Sequence, residues 1–278
     1  MRFPYGTLGE EFPESTTTAA YSAADTHTLL EALDALGGVH GLDTLDLACG
    51  HGHNTRLLAR GGARRALGVD TSEELLRRAR AHAGHIPGAV AYVVADTAKL
   101  PRLGPFDLVT AAYLFNQAPD RTALHGMFRS IRANLRDGGR LLATVPNAGA
   151  YPHVDWSPYG VRIVERVPAG DAPLLKAQLV DDPALVFEFR EWAHSDFAEA
   201  AVEAGFSTVG LAAQPHPARR RGPRRGLLDR VPRLAGQLPH DLHGLSPPAP
   251  PRHSAAADRT SSTIRSRAAR PSGTGSSG

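Results

Sequence analysis

The chain has 278 residues, of which 42% are hydrophobic and 21% are charged, a balance typical of a folded globular protein. No apolar run approaches the roughly 20 residues that a membrane-spanning helix needs, and the N-terminus lacks an apolar signal core. Cys49 is the single cysteine, which excludes an intrachain disulfide, so we expect a cytoplasmic protein without membrane association.

The net charge of +3 is distributed unevenly along the chain. Residues 217–278 contain 12 Arg and 3 Asp, a net charge of +9, so residues 1–216 carry −6. Binding to nucleic acid requires a basic surface that neutralises phosphates. The acidic first part of the chain therefore predicts that nucleic acid is not a partner.

Segments with strand and helix patterns alternate through the first half of the chain. A helix is predicted over 24–36, where Asp25 or Thr26 can cap its start. Short apolar strands are predicted at 44–48, 65–69, 90–95, 106–113 and 140–145, with helices at 53–63, 72–83 and 121–135. This alternation predicts a parallel sheet that is covered by helices on both faces.

The pattern changes after the fifth strand. Three β-prone runs, at 160–167, 174–180 and 184–190, follow one another without a helix between them. Breaks of Pro, Gly and Asp separate these runs, which indicates a small antiparallel insertion in the parallel fold. A helix over 195–204 and a strand over 206–212 then return to the main sheet.

A pair of glycines follows the first strand in Leu45-Asp-Leu-Ala-Cys-Gly-His-Gly52. Glycine lets the backbone approach a ligand closely, and the helix that follows presents free N–H groups to a carboxylate or phosphate. The third glycine of the dinucleotide-binding fingerprint is missing, because Thr55 stands in its place. The loop therefore disfavours an NAD(P)-dependent oxidoreductase, which is kept as an alternative.

Two carboxylates follow the next two strands. Asp70 ends the second strand about 20 residues after the glycine loop, where an acidic side chain can accept both ribose hydroxyls. The alternative is that Asp70 only caps the next helix. Asp96 ends the third strand, where it can accept a proton from the amine of an adenine, or serve only as a turn residue.

Together these motifs resemble the successive motifs of class I S-adenosylmethionine-dependent methyltransferases. The segments that carry the resemblance are 45–52, 68–72, 94–97, 106–109 and 135–142. It implies an α/β three-layer sandwich with a mostly parallel Rossmann-like sheet, S-adenosyl-L-methionine as cofactor, and a small-molecule acceptor. By position, it implies that Asp46, Cys49, Gly50 and Gly52 line the methionine moiety, Asp70 holds the ribose, Thr71, Asp96 and Thr97 frame the adenine, and Ala112 forms the floor. Tyr5 or Phe12, in a segment like the N-terminal motif of the small-molecule members, would help close the site.

The acceptor side is predicted from 113–117 and from the insertion, 148–192, which we expect to act as a lid. His153 is the candidate general base, with Asp155 behind it, and Trp156 and Tyr159 could stack on a flat substrate. The alternative is that both aromatic residues anchor the lid and that His153 is a surface residue. Tyr113 and Asn116 are the remaining candidate substrate-binding residues. The motif [DNS]-P-P-[YFW], typical of nucleobase amine methylation, does not follow the fourth strand, which favours an aromatic or heterocyclic metabolite.

Cys49, His51 and His53 form a Cys-x-His-x-His pattern, but residues two apart on a tight loop rarely converge on one ion, so we expect no metal.

Residues 1–216 are predicted to form the methyltransferase domain, and the Arg/Pro/Ser/Gly-rich tail, 217–278, to be mostly disordered. The family ends its sheet with an antiparallel strand after the one at 206–212, which Arg219–Gly226 cannot supply. We hypothesise that the tail replaces that strand. A monomer or homodimer is expected, and a non-catalytic S-adenosylmethionine-binding protein remains an alternative.

Overall fold

The computed structural model describes residues 20–84, 86, 89–146, 156–157, 160–180, 183–213 and 261–268. Two 3₁₀ turns, Thr97–Lys99 and Phe115–Gln117, follow the third and fourth strands. The helices are α1 Ala20–Ala35, α2 His53–Arg60, α3 Glu73–Ala83, α4 Arg121–Asn134 and α5 His194–Glu203. The strands are β1 Asp43–Leu47, β2 Arg65–Asp70, β3 Ala89–Val94, β4 Phe106–Ala112, β5 Leu135–Pro146, β6 Val161–Val167, β7 Leu174–Leu179, β8 Val186–Arg190, β9 Phe206–Ala213 and β10 Ser261–Ala268.

Seven strands form the central sheet, in the order β3-β2-β1-β4-β5-β10-β9. Strands β1 to β5 pair in parallel, whereas β10 runs antiparallel to both of its neighbours. The strand order reverses between β1 and β4, and in open α/β sheets ligands bind at such a switch point, beyond the carboxyl ends of the strands. The predicted Rossmann-like sheet is confirmed.

The three β-prone runs after β5 form a separate antiparallel sheet, in the order β6-β7-β8, which confirms the predicted insertion. Its own small core contains Leu175, Ala177 and Phe189. Strand β8 contacts the 3₁₀ turn after β4, so the insertion lies beside the carboxyl end of the central sheet.

Helix α4 shows how the sequence covers the sheet. Its buried side chains recur at helical spacing, and the carboxylate of Asp120 caps its start by accepting the N–H of Ala123 at 2.8 Å. The ring of Phe128 stacks on Phe115 with 4.3 Å between the ring centroids. Burial of each such side chain contributes about 1.5–3 kcal/mol to folding, so this packing fixes the turn that follows β4.

Two features differ from the sequence-based expectations. Helix α1 begins at Ala20, so Asp25 lies inside it and the predicted capping role of Asp25 or Thr26 is wrong. Strand β10 comes from the segment expected to be a mostly disordered tail, and it pairs between β5 and β9. Residues 261–268 occupy the position that we hypothesised for a strand from the tail, and the domain boundary at 216 stays a prediction. Within the described residues, no helix is long and apolar enough to cross a membrane.

Candidate active site

The loop after β1 turns sharply at the carboxyl edge of the sheet. Ala48, Gly50 and Gly52 all have positive φ, of +52°, +55° and +79°. The N–H of Cys49 donates to the carbonyl of Val69 at 3.1 Å, and the N–H of Gly52 donates to the carbonyl of Cys49 at 2.8 Å. These bonds hold the loop against the end of β2.

The two glycines of the loop are required for different reasons. A Cβ atom on Gly50 would meet nothing within 4 Å, so this glycine leaves an open space at the edge of the sheet. A Cβ atom on Gly52 would collide with the ring of Tyr92, lying 2.8 Å from its Cε1 atom. Gly50 therefore borders an open space, while Gly52 accommodates the side chain of Tyr92 from β3.

Asp70 connects the glycine loop to the start of α3. One carboxylate oxygen accepts the N–H of Gly50 at 2.8 Å, and the other accepts the N–H of Ser72 at 2.9 Å. The hydroxyl of Ser72 caps α3 by accepting the N–H of Leu75 at 3.2 Å, so the helix cap is not Asp70. Each oxygen of a carboxylate can accept more than one hydrogen bond. Asp70 can therefore still accept hydroxyl groups from a ligand, and Thr71 beside it is exposed.

The side chains of Asp46 and Cys49 form the buried side of the glycine loop. Asp46 is 1% exposed, and its two oxygens accept the hydroxyls of Thr55 at 2.6 Å and of Thr110 at 2.9 Å. Burial raises the pKa of Asp46 from 3.8 to about 6, although both threonine hydroxyls lower it. Burial also raises the pKa of the Cys49 thiol, so the sulfur stays protonated at neutral pH. Both side chains are therefore buried groups that hold the loop on the sheet.

The predicted adenine-binding residues lie at the end of β3. Asp96 is exposed, and one of its oxygens accepts the N–H of Ala98 at 2.9 Å, which starts the first 3₁₀ turn. Thr97 is buried. Asp96 therefore acts as a turn residue, as the alternative interpretation of the sequence suggested. Its carboxylate is also exposed, at the same edge of the sheet as Asp70.

The end of β4 is joined to α1. Tyr113 has a φ of +55°, its N–H donates to the carbonyl of Thr144 at 2.9 Å, and its hydroxyl donates to the carboxylate of Asp25 at 2.7 Å. Beside it lies a recess of about 290 Å³ that is open to solvent. We call it the β4–β5 recess; its walls include Asp25, Leu29, Asn54, Ala112, Leu142 and Thr144.

His53 joins the glycine loop to α1. Its Nε2 atom lies 3.0 Å from the hydroxyl oxygen of Thr26. Burial lowers the pKa of His53 to about 4, and His51, Arg56 and Arg60 lower it further. The imidazole is therefore neutral at physiological pH, and it positions the loop rather than adding charge to the site.

The remaining predicted substrate residues are only partly described. Asn116 is 3% exposed, and within the described part of the chain its Oδ1 atom has no hydrogen-bond partner. Trp156 packs on the core of the three-stranded sheet, which agrees with the anchoring alternative. Tyr5, Phe12, His153, Asp155 and Tyr159 lie outside the described residues, so their predicted roles stay predictions.

Sequence reasoning missed the contribution of α1 to this site. Asp25 was considered only as a helix cap, and His53 only as a metal ligand. The contact between Asp25 and Tyr113 joins residues 88 positions apart, and no local pattern signals it. Among the described residues, no group of three or more His, Cys, Asp or Glu side chains is arranged to hold a metal ion.

Comparison with known proteins gives one family and many similar structures. Residues 44–139 match the model of a family described as a methyltransferase domain. No curated protein matches the chain. An S-adenosylmethionine-dependent methyltransferase from Clostridium acetobutylicum ATCC 824 has a TM-score of 0.58 at 15% identity, over 96% of this chain and 99% of that chain.

Two similar structures contain the demethylated cofactor. The DhpI–SAH complex has a TM-score of 0.57 at 17% identity, over 95% of this chain and 93% of that one. The N-methyltransferase NodS from Bradyrhizobium japonicum WM9, in complex with S-adenosyl-L-homocysteine, has a TM-score of 0.55 at 14% identity, over 92% and 91%. At such identities the likeness shows the fold. The chain thus has the Rossmann-like fold of these structures, and its residues 44–139 are similar to a methyltransferase domain.

Proposed function

We propose that this enzyme transfers the methyl group of S-adenosyl-L-methionine to a nitrogen, oxygen or carbon nucleophile of a small molecule. The observation that carries the proposal is the arrangement at the switch point of the sheet. There, Gly50 leaves an open space, and its N–H is tied to Asp70 at the end of the neighbouring strand. A carboxylate beside an open space at this edge matches a ligand that carries ribose hydroxyls.

The described residues fit S-adenosyl-L-methionine. Asp70 would hold the ribose hydroxyls, since each of its oxygens accepts one backbone N–H and has a further lone pair. Gly50 would adjoin the methionine moiety, and Asp96 and Thr97 would frame the adenine. The bound cofactor supplies a methyl group that is already activated, so the protein mainly has to orient the nucleophile and exclude water.

A small acceptor is supported by the position of the recess and by the charge of the chain. Ala112, the residue proposed as the floor of the cofactor site, lies in the wall of the β4–β5 recess, so the recess opens beside the proposed cofactor site. The net charge of −6 over residues 1–216 also opposes binding of a polyanion.

Calorimetric titration with S-adenosylhomocysteine tests the cofactor site. The Asp70→Ala variant should bind at least about tenfold more weakly than the wild type, because it loses the acceptor for two ligand hydroxyls. The control is Glu188→Ala, which removes an exposed carboxylate from the separate three-stranded sheet and should leave the affinity unchanged. Equal affinities of the Asp70→Ala variant and the wild type would contradict the proposed ribose site. Binding of NADH in place of S-adenosylhomocysteine would support the oxidoreductase alternative.

A further inference from the structure

Arg56 is a buried positive charge in the first turn of α2, directly after the glycine loop. The residue is 8% exposed, and within the described part of the chain its guanidinium is bonded to a backbone carbonyl and to no carboxylate. A cation near the N-terminal end of a helix is repelled by the helix dipole, and burial without an ion pair costs further free energy. Two electrostatic effects thus oppose this charge, so its place in the fold needs a compensating role.

The side chain of Arg56 holds one peptide unit of the glycine loop. Its Nη1 atom donates to the carbonyl of His51 at 2.6 Å, and its backbone N–H donates to the carbonyl of Gly52 at 3.0 Å. The N–H of Gly52 donates to the carbonyl of Cys49 at 2.8 Å. Both polar groups of the His51–Gly52 peptide are therefore bonded. The bond from the guanidinium is the stronger kind, because a hydrogen bond from an ionised donor is about twice as strong as a neutral one.

Tyr92 packs beside the guanidinium from the edge strand β3. Its ring fills the space left by Gly52 and Gly68, where an added Cβ atom would lie 2.8 Å and 2.6 Å from ring carbon atoms. Burial raises the pKa of Tyr92, and the charge of Arg56 is near enough to oppose that shift. The guanidinium thus lies close to both the loop and this ring, which limits the conformations open to it.

The glycine loop needs such a restraint because its backbone is unusual. Ala48 has a φ of +52°, a conformation that residues other than glycine rarely adopt. His51 stands between two glycines with positive φ, which give the backbone on both sides of it wide conformational freedom. Without the bond to Arg56, the His51–Gly52 peptide would be free to rotate. The neighbouring turn at Gly50, which borders the open space, would then lose its fixed shape.

We propose that Arg56 is a positioning residue for the cofactor, which holds the His51–Gly52 peptide so that the turn at Gly50 keeps the shape that receives the methionine moiety. This inference rests on the proposed function and adds a residue to the proposed cofactor site. The ribose side depends less on Arg56, because the carboxylate of Asp70 is also held by the N–H of Ser72. Loss of the guanidinium should therefore act on the methionine end of the ligand more than on its adenosine end.

Calorimetric titration with two ligands tests this division. S-adenosylhomocysteine and 5′-methylthioadenosine share the adenosine and the thioether, and only the first carries the amino acid. Arg56→Met keeps an apolar side chain and removes the guanidinium. If the loop is then competent in about one molecule in ten, the affinity for S-adenosylhomocysteine should fall about tenfold, whereas that for 5′-methylthioadenosine should stay within about twofold. Arg56→Lys keeps a charged donor and should recover part of the loss. The control Arg129→Met removes an exposed arginine from α4 and should leave both affinities unchanged.

Hydrogen exchange of the protein without ligand gives a second readout. In Arg56→Met the amides of Cys49 and Gly52 should exchange faster than in the wild type, while those of β4 should keep the wild-type rate. Local opening of the loop raises exchange only there, whereas a general loss of stability raises exchange in the core strands as well. This readout therefore separates a positioning role from a purely structural one.

The inference is overturned if Arg56→Met keeps the wild-type affinity for S-adenosylhomocysteine, or if the affinities for both ligands fall equally. A uniform rise of hydrogen exchange through the loop and β4 would overturn it as well. A wild type that does not bind S-adenosylhomocysteine would instead contradict the proposed function, and the exchange rates would still show whether Arg56 holds the loop.

Discussion

A proline in β10 should destabilise the whole domain. In the structure β10 lies inside the sheet, where seven of its residues pair with β5 and seven with β9. Thr263 stands near its centre, opposite Thr144 of β5 and Ala212 of β9. Thr263→Pro removes one N–H from the ladder, which costs about 0.5–1.5 kcal/mol, and leaves a carbonyl of a neighbouring strand unpaired, which costs about 1–3 kcal/mol more.

The total of about 3 kcal/mol should lower the melting temperature by about 6–12 °C, since a domain of this size loses about 2–4 °C per kcal/mol. Thermal unfolding followed by circular dichroism measures this change. Ser272→Pro, which lies beyond the strand, should melt like the wild type. Two truncations test whether the strand itself is needed. Removal of 269–278 keeps β10 and should leave the melting temperature unchanged. Removal of 261–278 also deletes β10, which should expose the edges of β5 and β9 and cause aggregation. If Thr263→Pro melts within about 2 °C of the wild type, β10 does not contribute to the stability of the sheet.

Two further substitutions test the support of the glycine loop. Ionisation of Asp46 opposes folding, because its pKa of about 6 in the folded protein exceeds its usual value of 3.8. The free energy of unfolding of the wild type, minus that of Asp46→Asn, should therefore fall by about 2 kcal/mol between pH 4 and pH 7. A constant difference in urea titrations would refute this. Gly68→Ala places a Cβ atom 2.6 Å from Cδ1 of Tyr92 and should cost about 1–3 kcal/mol. Adding Tyr92→Leu should recover part of that loss, whereas strictly additive effects in a double-mutant cycle would exclude the contact as its cause.

The periodicity of the sequence was sufficient to predict the sheet and the insertion. Strands β1 to β4 were placed within one residue at each end, because each is a short apolar run between turn residues. β5 was less accurate: it begins at Leu135, whereas the prediction began at 140, since Asp137, Gly138 and Gly139 have the composition of a turn. The ladder with β4 pairs Leu135 with Phe106 and resumes at Arg140 opposite Leu108, so these three residues lie in an irregularity of the strand.

Strand β10 could not be predicted from local pattern. Its sequence, Ser-Ser-Thr-Ile-Arg-Ser-Arg-Ala, contains neither a continuous apolar run nor alternation of apolar and polar residues. It is a strand because β5 and β9 both present backbone N–H and C=O groups that need partners. That requirement is set by residues at least 48 positions away, in β9 and in β5, and a short window of the sequence does not contain both partners.

The sequence was sufficient to predict those residues of the candidate site that directly follow a strand. Gly50 and Asp70 each follow a strand, and parallel strands bring such residues to one edge, where the two are hydrogen bonded. Asp46 was also assigned to the cofactor, but it lies within β1 and its carboxylate is directed to Thr55 and Thr110. The sequence predicts an acidic side chain near the carboxyl edge of the sheet. That the carboxylate of Asp46 is buried follows only from the packing of α2 against the sheet.

The strain in the backbone indicates how the two halves of the site are linked. Among the described residues, Ala48 and Tyr113 are the non-glycine residues with positive φ, and they follow β1 and β4, the two neighbouring strands at the switch point. Each conformation costs free energy, so both turns must be held by their surroundings. The turn at Ala48 leads to Gly50 and Asp70, whereas the turn at Tyr113 leads to Asp25. Because α1 contacts Tyr113 through Asp25 and the start of α2 through the Thr26–His53 pair, its placement couples the turn after β4 to the helix that follows the glycine loop.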